Sequence, residues 1–196
     1  MVENHYDFLN VHHHKSNVSL EVILKELGQD DSHSVEVLGE KVYLPSPNLH
    51  ALFLLRHSMS NFASTRIQIR QLLDWAFFVK ANHQDIDWIW LEDVLEKYGM
   101  KRLYDVFNAI CVGDLGFDVK IFSKVQFDPQ LKEKVLKEIL YPEITKKTPK
   151  SILLRIPFKY RRWWANEWKH RLCFNDSMIS AFWSGVKSHL LKPSSI

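Results

Sequence analysis

An α+β fold made mostly of helices is what the sequence predicts: a small β portion with a hairpin at the N-terminus, then a helical bundle. Three observations predict it. Apolar residues recur at helical spacing in several separate stretches, each bounded by cap and stop residues. A single stretch near residue 40 alternates apolar and polar around a glycine. Six glycines and seven prolines are too few for an all-β sandwich with its many tight turns.

The chain opens with Met1–Val11, which reads as extended and anchored by Tyr6, Phe8 and Val11. His12, His13 and His14 read as a solvated loop, because consecutive residues of an extended chain point to opposite sides and cannot converge on a metal. Ser16 and Asn17 signal the start of a helix over Val18–Leu27, and Gly28 its end. In Ser34–Leu44, Val35, Val37, Val42 and Leu44 flank a Gly39-Glu40 turn and predict a β-hairpin.

Ser46-Pro47 then offers an N-cap and a first helical position. Two strongly apolar helices follow within Leu49–Ala81, joined by a polar link near Asn61–Thr65. The first carries Ala51, Leu52, Leu55, Met59 and Phe62 along one face. The second, from Arg66, carries Ile69, Leu72, Leu73, Ala76 and Val79, with Trp75 and Phe78 widening the apolar coverage. Both are therefore expected to be buried.

Asp87 is expected to cap a helix over Trp88–Tyr98 that Gly99 ends. A helix over Lys101–Val112 precedes a loop at Gly113 and Gly116. Pro129 opens another over Leu131–Leu140, and Pro142 closes it. A basic connector leads into Ser151–Arg171, where cations alternate with Trp163, Trp164 and Trp168. A last amphipathic helix is expected over Asp176–Leu191. Three parts are thus expected: a β-containing portion over 1–45, a helical domain over 46–145 and a basic, aromatic-rich helical extension over 146–196.

Charge is divided unevenly. Residues 1–145 hold 15 Lys+Arg against 21 Asp+Glu, and residues 146–196 hold 11 against 2. The basic segment either packs on the acidic body, leaving its cations in water, or meets an anionic partner such as nucleic acid or a membrane surface. Cys111 and Cys173 are the only cysteines and have no metal-ligand spacing, which reads as free thiols in a reducing compartment. No apolar run approaches the ~20 residues that span a bilayer, and the polar start Glu3-Asn4-His5 is no signal peptide. A cytoplasmic protein is expected.

The best clue to function is a tension inside Leu49–Ala81. Arg56 and His57 on the first helix, and Arg70 and Asp74 on the second, are strongly polar residues in apolar surroundings. Buried charge costs several kcal/mol, roughly, unless it is paired or used. Arg70 and Asp74, four apart, are either a structural helix pair or a phosphate-facing cation steadied by its carboxylate. Asp85-Ile86-Asp87 has the look of a metal motif but reads as a helix start. No serine or cysteine triad signature is present.

Three stretches together resemble the uncharacterised nucleotidyltransferases of the DNA polymerase β-like superfamily. They are Val2-Glu3-Asn4-His5-Tyr6, the segment Leu54–Phe78 with its RQLLDWAFF, and Arg161–Pro193 with RRWWANEWKHRL and SHLLKP. The resemblance implies transfer of a nucleotidyl group from a nucleoside triphosphate to an unknown acceptor, with Mg²⁺ at a carboxylate site and a helical half closing over the substrates. It makes Glu3 the candidate third metal carboxylate and catalytic residue, and it places Arg56, His57, Arg70 and Asp74 on the substrate side. That family's Gly-Ser loop and upstream Asp-x-Asp have no counterpart here, so a truncated or inactive member is expected. The alternative is a non-catalytic helical module that binds an anionic or acidic partner through its basic C-terminal segment.

Overall fold

The computed structural model describes residues 7–11, 14–64, 67–123, 125–142, 151, 158, 161–162, 164–177 and 179–180. Among them are seven α-helices and one two-stranded antiparallel hairpin, the mostly helical α+β fold that periodicity predicts. Glu3, His5, the connector 143–150 and nearly all of the expected last helix lie outside the described residues.

Helix α1 spans Lys15–Leu27 and begins one turn earlier than the Ser16-Asn17 signal suggests. Those two side chains do not cap it. Both are buried and turned inward, where a charge on another helix claims them. The hairpin joins β1 (Ser34–Val37) to β2 (Glu40–Tyr43), with Val35 opposite Val42 and Val37 opposite Glu40. Its turn is Leu38-Gly39, one residue before the predicted pair. Both residues have positive φ, 53° and 83°, as a tight two-residue hairpin turn demands.

Helix α2 (Pro47–Ser64) starts at the predicted Ser46-Pro47, where the Ser46 hydroxyl accepts from Leu49 N at 3.4 Å. It runs through Asn61, which the sequence assigns to the link. Helix α3 (Ile69–Asn82) begins after Arg66, because Gln68 and Gln71 form a reciprocal capping box there. Leu72, Trp75, Ala76 and Val79 fill its inner face. The Trp75 indole N–H donates to Asn108 Oδ1 at 2.9 Å, so the largest buried ring has its polar atom satisfied.

Asp87 caps α4 (Trp88–Lys97) by accepting from Trp90 N at 3.0 Å. Helix α5 (Lys101–Gly113) has eight buried residues between Leu103 and Cys111 and packs against α3, α4 and two later helices, Pro129–Leu140 and Glu167–Cys173. Asp128 and Pro129 open α6 (Pro129–Leu140), and α7 spans Glu167–Cys173. Helix α2 packs against α1, α3 and α7, so α2 and α5 are the two members around which the others gather. No described helix is long and apolar enough to cross a membrane.

Gly99 fastens one corner of this bundle. It follows α4 with φ 72°, and Met100 N donates back to Leu95 O at 2.8 Å, as in a glycine-ended helix. The Asn175 carboxamide fills the space a Cβ would need and donates to Lys97 O at 2.8 Å. Gly99→Ala therefore meets both a left-handed backbone and a collision. It is expected to cost about 1–3 kcal/mol in urea denaturation. An unchanged midpoint would show that Asn175 moves aside freely.

Candidate functional site

The four polar residues of α2 and α3 part company in the folded chain. Arg56 has no exposed surface, whereas His57, Arg70 and Asp74 all face solvent. Helical geometry explains the split on α2: neighbours in sequence are about 100° apart around the axis. If Arg56 points into the bundle, His57 must leave it.

Arg56 sits where α1, α2 and α7 meet. Its Nε donates to Asn17 Oδ1 at 3.1 Å, Nη2 to Ser16 Oγ at 3.1 Å, and Nη1 to the Cys173 carbonyl at 3.3 Å. Nη2 also reaches Asn17 Oδ1. The guanidinium plane lies over the Phe174 ring, 4.4 Å from its centroid. Burial lowers the Arg56 pKa to about 10, an effect that the nearby Asp176 opposes. It therefore remains a cation at neutral pH, held by neutral acceptors and a ring, with no contacting carboxylate among the described residues.

Around this cation His14 stacks on Phe174 at 3.8 Å, and His170 lies 4.8 Å from the same ring. Asp176 approaches His14 Nδ1 at 3.5 Å and accepts from Ser16 Oγ at 3.4 Å. Burial, with Arg56 close by, lowers the His170 pKa despite the counteracting Asp176 and Glu167. The cluster joins the start of α1 to the end of α7.

The outer face carries different chemistry. His57 packs beside Phe53, with ring centroids 5.8 Å apart, and shares a 3.0 Å hydrogen bond with Asn61. Higher on α2, His50 contacts Phe78 of α3 at 4.6 Å, and burial lowers its pKa. Arg70 and Asp74 occupy one face of α3 without pairing to each other. Neither has a hydrogen-bond or ion-pair partner among the described residues. The order in which Arg precedes Asp by four residues is the weaker arrangement for a helix pair, which leaves both groups available.

Around α7 the basic C-terminal segment packs into the core, whereas Arg161, Trp164 and Arg171 stay exposed. Lys169 is buried in an ion pair with Glu138 of α6, and Arg171 pairs with Glu167 at 2.6 Å. The Trp168 ring meets Phe62 edge-on at 5.7 Å and lies under Lys134 at 4.1 Å. Sequence reasoning singles out Arg56 but not its α1 partners, and it misses the buried Lys169–Glu138 pair altogether. No local signal could have found them, since the partners are 31 or more residues apart.

Magnesium, which the family resemblance implies, has no fitting donor set among the described residues. No three His, Cys, Asp or Glu side chains are placed there to hold a metal ion, and Asp87 is used as a helix cap. Glu3 lies outside the described residues.

No curated protein and no solved structure matches the chain. A family model described as "uncharacterised nucleotidyltransferase" matches residues 1–112. The match takes in the hairpin, the first four helices and almost all of α5, and so includes all five residues singled out in the sequence. The matched region is more than half of the 196 residues: this chain belongs to the uncharacterised nucleotidyltransferase family.

Proposed function

We propose that the chain supplies the helical half of a nucleotidyl-transfer site, with the outer face of α2 and α3 meeting a nucleoside triphosphate. The observation that carries this reading is the separation of the two arginines. Arg56 is fully engaged inside, and Arg70 stands exposed and unpaired among the described residues, within the family-matched region. A solvent-facing guanidinium in the first turn of a helix adds its charge to the positive end of the helix dipole. Polyphosphate is the anion such a pairing suits.

In this reading Arg70 binds phosphate, Asp74 and His57 position the substrate, and Arg56 acts at a distance by fixing α2. Glu3 is the one carboxylate the chain is proposed to contribute to a magnesium site. The acceptor is left to whatever group completes the cleft. Titration with ATP or CTP in the presence of Mg²⁺, followed by tryptophan fluorescence and melting temperature, tests the reading. Binding is expected, and Arg70→Gln is expected to weaken it about tenfold, the worth of one charge-assisted contact of ~1.4 kcal/mol. Silence in both readouts, or an Arg70→Gln protein that binds as well as the parent, counts against it.

A further inference from the structure

Resting on that reading, we propose that Phe77, braced by Phe117, is the platform on which the base of the nucleotide stacks. Arg70 then lies at its phosphates and Asp74 at its ribose. The three residues share one exposed face of α3. At 100° per residue they fall within about 60° of one another around the axis, and about 6 Å and 10.5 Å separate Asp74 and Phe77 from Arg70 along it.

The order of chemistry along that line is cation, carboxylate, aromatic ring. A nucleotide laid along it presents polyphosphate, sugar hydroxyls and base in the same order. A carboxylate is a common acceptor for ribose hydroxyls, and an aromatic face serves any base. The positive end of α3 lies at the Arg70 end, where the phosphates would be.

Phe77 is 56% exposed, although a ring of its size gains most by burial. Its contact is with Phe117, at 5.2 Å between centroids and 81° between planes. Phe117 comes from the loop after α5 and is itself partly buried, with its N–H donating to Cys111 O at 3.0 Å. An edge-to-face neighbour held by its own backbone fixes the ring's direction and leaves much of its surface to solvent. Phe117 also lies beyond residue 112, where the family match ends, so the brace is a feature of this chain outside the matched region.

The test compares ATP with inorganic tripolyphosphate by isothermal titration calorimetry on the full chain. ATP is expected to bind about tenfold more tightly than tripolyphosphate, within the range of one base–aromatic stack. Phe77→Ala is expected to remove that advantage and leave tripolyphosphate affinity within about twofold of the parent, while Arg70→Gln weakens both ligands alike. Phe77→Trp should keep the preference. Phe77→Leu, which fills the space without a ring, answers the same question if the alanine variant fails to fold. If both ligands bind and the Phe77 variants leave their ratio unchanged, the platform is refuted while the phosphate reading stands. If neither ligand binds the parent chain, both readings fall together.

Discussion

Arg56→Ala is expected to lower the unfolding free energy by about 3–5 kcal/mol. Two losses add. The first is volume, since Arg56 is among the largest fully buried side chains and alanine leaves a cavity where α1, α2 and α7 meet. The second is polarity. Asn17 Oδ1 and the Cys173 carbonyl lose their donors in a place water does not reach, at about 1–3 kcal/mol for each group left unsatisfied. For a chain of this length, each kcal/mol moves the melting temperature by about 2–4 °C. Calorimetry should therefore show a fall of roughly 6–20 °C.

Arg56→Lys separates the two losses. It keeps the charge and much of the stem but cannot serve Asn17, Ser16 and the Cys173 carbonyl from one planar group. It should fall between the parent and the alanine variant. A change below about 1 kcal/mol for Arg56→Ala would mean the guanidinium contributes no net stability, because its desolvation cancels its contacts.

Removing residues from Lys146 onward should have a larger effect still. The deletion takes away Leu172, Cys173 and Phe174, all buried. Each large apolar side chain lost from the core forfeits about 1.5–3 kcal/mol. It also strips Arg56 of its Cys173 and Phe174 contacts and leaves Glu138 without Lys169. An uncompensated buried charge costs about 3–5 kcal/mol. Together these reach the ~5–15 kcal/mol that holds a whole domain folded. The truncated chain is expected to lose its cooperative melting transition and to aggregate. A truncated protein that melts cooperatively near the parent temperature would show instead that the basic segment serves a partner.

Features written in neighbouring residues were legible in the sequence. Asp87 three residues before Trp90, Pro129 at the start of α6, Gly99 after Tyr98 and the alternation through Val35 and Val42 each depend on contacts a few positions away. Ser16 and Asn17 show why the rest was not. Short polar residues ahead of an apolar run are the usual N-cap, and the same side chains are equally apt partners for a guanidinium. Arg56, some 40 positions along the chain, decides the matter.

The hairpin turn and the α3 start shifted for a related reason. Glycine tolerates positive φ, so the sequence points to Gly39 as the opening of the turn, yet Leu38 takes that conformation as well. Arg66 fits helical periodicity, but the Gln68–Gln71 box fixes the first turn later. As for the candidate site, RQLLDWA falls on helix α3. The division of its polar residues between interior and surface awaited the packing of α1 and α7 against α2.

The tie between Arg56 and Cys173 also sets a timetable. The two residues are 117 positions apart. During synthesis at roughly 5–20 residues per second, Arg56 emerges several seconds before the segment that closes over it. Until then α1 and α2 present an open apolar wall, the kind of surface on which nascent chains stick to one another. The guanidinium on that wall keeps its own water until α7 covers it. The desolvation of that charge is therefore completed only when α7 arrives.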